Sequence, residues 1–251
     1  MNKTIGIIIV VAVLVIGGIY LLTRTPSAPG SEEALSEQNQ NQAVAEGRVV
    51  FSVTDAAANL STISEINMMV KSVEVHSSAS GWMTVSTTPR VYNLLVLNAE
   101  NRSELLADAN IKAGTYDQIR LMVDSISVKT KTGAVKEAKL PSGELKINTR
   151  LVVNANETSS ANFDFLADKS LHVTGNGSYI FAPVVKFETR SSADVSVSVD
   201  STVKITGGRS DDQNTVGMDV DGTIKLNFQI SGNQKLNIDG NGIIKLEGLL
   251  Q

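Results

Sequence analysis

The sequence predicts a mainly β protein: an antiparallel, Greek-key-like β-sandwich carried on a single N-terminal transmembrane helix. Three observations lead there. An uninterrupted apolar run, IGIIIVVAVLVIGGIYLL, fills Ile5–Leu22. A polar tract follows that lacks the large side chains needed to fold. From Val49 onward, apolar and polar residues alternate in short runs separated by Gly-, Ser- and Asn-rich turns, the period of half-buried strands.

Ile5–Leu22 carries no charge. At the helical rise, eighteen residues span roughly 27 Å, close to the ~30 Å hydrocarbon layer of a bilayer, with every backbone polar group bonded inside the helix. The run exceeds the roughly 7 to 15 apolar residues of a cleaved signal peptide. The one small-residue site nearby, after Ala28, would place Pro29 just past the cut. No cysteine is present to take a lipid chain. An uncleaved anchor is therefore expected, with residues 1–4 as a short cytoplasmic end and the lipid bilayer as partner of residues 5–22. Lys3 and the amino terminus outweigh Arg24 only slightly in favour of the N-terminus inside. Residues 23–46, with two prolines, a Gly-Ser step and then Glu, Gln and Asn, read as a disordered stalk.

The chain holds 22 Lys plus Arg against 26 Asp plus Glu, a formal charge of −4, with no basic stripe. That argues against a nucleic-acid partner. Without cysteine, disulfides, thiolate metal sites and a cysteine nucleophile are excluded. Asn-x-Ser/Thr triplets occur at Asn59, Asn101, Asn156 and Asn176, and matter only where a host glycosylates.

Val49, Phe51 and Val53 alternate as a first strand that ends at Asp55. Ile66, Met68 and Val70 continue as Val73 and Val75, with a phase slip across Lys71-Ser72 that a bulge explains. Gly81–Val85 forms a short strand. Val91–Leu97 (VYNLLVL) is apolar enough for a strand buried on both faces. Asn101–Ala109 (NRSELLADA) is the best helical stretch of the soluble part. Tyr116–Val128 reads as a long bent strand, and Gly133 and Pro141-Ser142-Gly143 mark turns. Phe163-x-Phe165, Leu171-x-Val173 and Tyr179–Phe187 follow, the last with Pro183 arguing for an edge or a strand start. These strands place the sandwich at residues 47–190.

Residues 191–251 are expected to be a β extension or a small β subdomain. Val195, Val197, Val199, Val203 and Ile205 alternate with Ser and Asp. Gly207–Asn214 reads as a polar loop. Ile224–Ile230, Leu236-Ile238 and Ile244-Leu246 supply further alternation.

Several short motifs recur together: Val53-Thr54-Asp55-Ala56, Gly81-Trp82, Tyr92-Asn93-Leu94-Leu95, Ala113-Gly114-Thr115-Tyr116, Gln118-Ile119-Arg120-Leu121, Leu140-Pro141-Ser142-Gly143, Phe163-Asp164-Phe165 with Ser170-Leu171, and Pro183-Val184. In that order they resemble domain-of-unknown-function family 4382, over roughly Gly47 to Phe187. The resemblance implies an exported, membrane-anchored prokaryotic protein with a β-sandwich domain, and no activity comes with it. Ala57 stands where the family usually has proline.

Few residues offer chemistry. Asp55, at a strand end, reads as an Asx-turn or capping carboxylate ahead of a cation ligand. Trp82, the only tryptophan, reads as a core or sheet-end plug ahead of a platform for a sugar ring. Asn237-x-Asp239-x-Asn241-Gly242 starts like a calcium loop, but its twelfth position is Gly248, with Glu247 one residue early, and no helices flank it. A looser cation site with Asp219 and Asp221-Gly222 competes with a plain hairpin turn. His76 and His172 are the only imidazoles, and neither lies in a hydrolase motif. Gly207-Gly208 leads into Arg209-Ser210-Asp211-Asp212, whose acidic pair repels phosphate.

No catalytic, metal or cofactor residue is assigned, no cofactor is expected, and the ligand-binding residues stay unassigned. The function expected is a single-pass plasma-membrane protein whose domain outside the cytoplasm binds or adheres without catalysis, to a glycan or a surface protein. One alternative is a pilin-like filament subunit cut after Gly6, although Val11 stands where pilins carry Glu. The other is a cell-surface hydrolase built on His76 or His172.

Overall fold

A computed structural model describes residues 44–55, 60–219, 222–226, 235–238 and 244–247. The expected membrane helix 5–22, the stalk up to residue 43, and Ala57, Asn59, Asp221, Asp239, Asn241, Gly242 and Gly248 lie outside them. Among the described residues no helix is long and apolar enough to cross a membrane. They are mainly β, arranged in sheets.

One sheet contains β1 (Glu46–Asp55), β5 (Ser103–Lys112), β9 (Thr158–Phe165), β12 (Val184–Val197), β13 (Thr202–Met218) and β14 (Ile224–Leu226), in the order β12-β9-β1-β5-β13-β14. The hairpin pairing of β12 with β13 closes the first five into a ring. The other sheet runs β10 (Leu171–Val173), β11 (Tyr179–Phe181), β7 (Val135–Lys139), β6 (Gly114–Thr130), β2 (Ile63–Ser77), β3 (Gly81–Ser86). In it β4 (Arg90–Asn93) pairs with β2, and β8 (Glu144–Val153) with β6. A separate two-stranded pair, β15 (Lys235–Ile238) and β16 (Ile244–Glu247), matches the alternation expected there.

The alternation decides which faces meet. Phe51, Phe163, Phe165 and Phe187 from the first sheet and Ile66, Met68, Ile119, Leu121 and Ile147 from the second are fully buried in one shared core. Phe163 and Phe187, register partners on β9 and β12, pack as a tilted pair with centroids 4.9 Å apart. Such contacts add about 0.5–1.5 kcal/mol beyond area burial. The slip in β2 is present, with register shifts between Met69 and Ser72.

Four expectations are corrected. Val91–Leu97 is not one strand: β4 ends at Asn93, whose side chain caps a short helix, α1 (Leu94–Ala99), by accepting the Val96 N–H at 3.4 Å. Leu94 and Leu97, three residues apart on one helical face, enter the core. Asn101–Ala109 is not a helix, because β1 recruits Ser103–Lys112 as a strand and tertiary pairing outweighs the helix preference of Glu-Leu-Leu-Ala. Gly207–Asn214 is not a loop: those polar residues continue β13 and pair with Ser191 to Phe187 and beyond along β12. Nor is the pairing antiparallel throughout. β1 runs parallel to β9, and β7 to β11. Chain between β1 and β9 that crosses the other sheet supplies the long connection parallel neighbours require.

Candidate functional site

Trp82 lies on the outer face of the second sheet, not in the core. Gly81 at φ 72° turns the chain out of β2 and into β3, and Trp82 becomes the register partner of His76. His76 is in turn opposite Gln118 on β6, and Gln118 opposite Asn148 on β8. One step along, Thr84, Glu74, Arg120 and Lys146 form a parallel row. At a strand spacing of about 4.8 Å, these four-residue rows cross roughly 14 Å of sheet.

Within this face Trp82 remains 38% exposed. The Arg120 guanidinium carbon stands 4.1 Å from the indole centroid, and the His76 ring lies 5.2 Å away, tilted by 57°. Arg120 is itself held: it donates to Glu74, through Nε at 3.0 Å, and to Glu144 at 3.2 Å. The Glu74 hydrogen bonds push the guanidinium pKa upward. A β-bulge between Tyr116 and Gln118 adds Asp117, whose carboxylate meets His76 Nδ1 at 2.5 Å. Bulges of this kind re-aim a side chain. The result is a preorganised aromatic surface with amide, guanidinium and ammonium donors beside carboxylate acceptors.

The other candidates are placed elsewhere. Asp55 is buried, and its carboxylate accepts the N–H of Ala167, first residue of α2 (Ala167–Ser170), at 3.1 Å. Asn98 donates to the Asp55 carbonyl at 3.1 Å. The Ala167 contact is a long-range one, not the local turn expected at the end of β1, whose loop lies outside the described residues, and Asp55 ties the end of β1 to both short helices. His172, on β10, is four strands from His76 in the sheet order, roughly 19 Å at the usual spacing, so the two imidazoles build no common site. Burial lowers the His172 pKa to about 4. Asp219 is ion-paired with Lys225 at 2.8 Å. Among the described residues no group of three or more His, Cys, Asp or Glu is placed to hold a metal ion. Asn101 and Asn156 occupy left-handed turn positions, and Asn176 sits in the Thr174–Ser178 turn.

Glu74 and Asp117 did not stand out in the sequence, and Gln118 and Arg120 did so only within a family motif, with no role attached. The alternation of β6 does place Gln118 and Arg120 on its polar phase. What brings them to Trp82 is the register across β3, β2, β6 and β8, which no single segment encodes.

No curated protein and no solved structure matches the chain. The profile of the family described as "Domain of unknown function (DUF4382)" matches residues 46–183, more than half the chain. That span takes in β1 to β11 and every residue of the Trp82 face, and the chain belongs to this family.

Proposed function

We propose that this is a single-pass plasma-membrane protein, anchored through Ile5–Leu22, whose β-sandwich domain stands outside the cytoplasm and binds a surface glycan without catalysis. The observation that carries the reading is Trp82: a large aromatic, 38% exposed, on an open sheet face. Burial would be the favourable place for that ring, so its exposure beside fixed polar groups suits a ligand. The C–H face of a pyranose stacks on an indole. Gln118, two strands away in the same row, presents an amide to the hydroxyls of a ring placed there, and Asn148 and Lys146 extend the polar row for a longer glycan. Anchoring rests on the length and apolarity of Ile5–Leu22, and the outward orientation on the flanking charges.

The test is a glycan array probed with the chain and with Trp82→Ala, each with and without calcium. At least one glycan class should be retained by the parent chain and lost, by roughly tenfold or more, in the variant, as expected when stacking worth about 1–2 kcal/mol is removed. Retention of purified surface proteins and of no glycan would replace the glycan by a protein partner.

A further inference from the structure

The five-stranded ring encloses a cleft that the Trp82 face does not touch. Its volume is about 420 Å³, and its walls come from β5, β9, β12 and β13. That is within the roughly 300–1,000 Å³ of small-molecule sites. The cleft exists because of alternation and a bend. On β9, Ala161, Phe163 and Phe165 face the core, which turns Ser160 and Asn162 to the far side. On β12, Phe187 faces the core and Glu188 and Arg190 face away. The hairpin then bends at Ser192 and Gly208, both at positive φ, and its outer half reaches β5, where Val203 pairs with Ser103.

The chemistry of the lining is specific. Ser160 is 1% exposed and lines the cleft, where its hydroxyl can both donate and accept. Asn162 Oδ1 accepts from the buried Ser52 hydroxyl at 2.8 Å, which leaves the amide –NH2 for a ligand. Arg190 donates to Glu188 at 2.8 Å and to the Gly207 carbonyl at 3.0 Å. The two charges cancel within the wall, so the cleft carries no net charge to attract an ion. Val203 and Ile205 add an apolar strip opposite.

We infer that this cleft is a binding site for a neutral sugar of one or two rings. Each sugar hydroxyl both donates and accepts, which suits a wall where Ser160 and Asn162 stand beside a neutralised carboxylate–guanidinium pair. The C–H face of the ring meets Val203 and Ile205. An ion or an amino acid would have to separate Glu188 from Arg190 to be bound as tightly.

The test uses the full chain in a zwitterionic detergent with no sugar headgroup. Binding of a panel of neutral mono- and disaccharides is followed by saturation-transfer NMR, with circular dichroism as the check on folding. At least one sugar should bind, and Trp82→Ala should leave that binding unchanged. Ser160→Val should weaken it by about tenfold, the upper end expected for one lost hydrogen bond. Ile205→Trp, at a partly exposed wall position, should block it, and this variant decides the matter if Ser160→Val does not fold. No binding by any sugar, binding unaffected by both cleft variants, or free amino acids bound in preference to sugars would each overturn the inference. Binding lost only in Trp82→Ala would overturn it while leaving the outer-face reading in place.

Discussion

The His172 imidazole sits in a setting that resists charge: burial takes its pKa from 6.5 down to about 4. Above pH 6.5 the ring is neutral in folded and unfolded chains alike, and stability is at its full value. Between 6.5 and about 4 the unfolded chain binds a proton that the folded chain refuses, so stability falls as pH falls; below about 4 both states are charged and the loss levels off. At about 1.4 kcal/mol per pH unit the ceiling is about 3 kcal/mol, and water reaching the partly exposed ring reduces it. Urea midpoints measured across this window should drop more steeply for the parent chain than for His172→Gln; equal slopes would count against a neutral folded imidazole. Glu104 works the other way, because burial raises its carboxyl pKa, and comparing the two chains cancels that contribution. Legibility at this scale was uneven. A short acid at a strand end points to a local turn, whereas the Asp55 carboxylate accepts from Ala167, 112 residues away, a partner that only the fold supplies. Trp82 reads in the sequence as a core or sheet-end plug, because a lone tryptophan beside Met83 and Val85 reads as apolar, and only the register with His76 and Gln118 shows which face it occupies.

Among the elements, the β12–β13 hairpin shapes the molecule most, and its bend is a local conformational fact. Ser192 at φ 52° and Gly208 at φ 71° stand opposite each other between the register pairs Ser191–Arg209 and Ala193–Gly207, so both strands turn together without losing register. A Cβ at Gly208 would meet the Ser191 carbonyl oxygen at 2.7 Å and the Ala193 Cα at 2.9 Å, both backbone atoms. Gly208→Ala therefore combines the left-handed penalty of about 1–2 kcal/mol with a contact that must open. The expected loss is about 2–4 kcal/mol in urea denaturation, within the range that backbone strain and overpacking produce. A variant as stable as the parent would show that the bend tolerates a side chain. The polar stretch around Gly208 looked like a loop because Arg, Ser, Asp and Asn carry no strand preference. Here Arg209 pairs with Asp211 at 2.8 Å, and Asp212 accepts from Thr149 at 2.8 Å, so side-chain bonding accompanies a ladder that β12 supplies. The same logic explains β5 and α1: Ser103–Lys112 gains more from pairing with β1 than from its own helix preference. Leu94 and Leu97 bury at helical spacing behind a cap that composition alone does not announce.

At the scale of the whole molecule, alternation and turn residues made the β class legible, and the ordered motifs made the family legible. The parallel neighbours and the closed ring were not, since both depend on which distant strands meet. The start of β1 also sets where the domain can be separated from what precedes it. The Ala45 carbonyl accepts the Ala113 N–H at 2.8 Å, the Glu46 carbonyl accepts the Asn156 N–H at 2.8 Å, and Glu46 is the register partner of Lys112. A chain starting at Val44 keeps these bonds; one starting at Gly47 loses them. Both should leave the membrane pellet, because Ile5–Leu22 is gone, and both should give a strand spectrum by circular dichroism. The shorter should be less stable by about 1–3 kcal/mol, the worth of two lost backbone hydrogen bonds at about 0.5–1.5 kcal/mol each. A Val44 chain that stays in the pellet would break the link between Ile5–Leu22 and membrane attachment, and one that gives no strand signal would show that the β domain does not fold without the preceding residues. Protease shaving of intact cells completes the test. The domain should be cut away from outside, and protection of the domain there would reverse the proposed orientation.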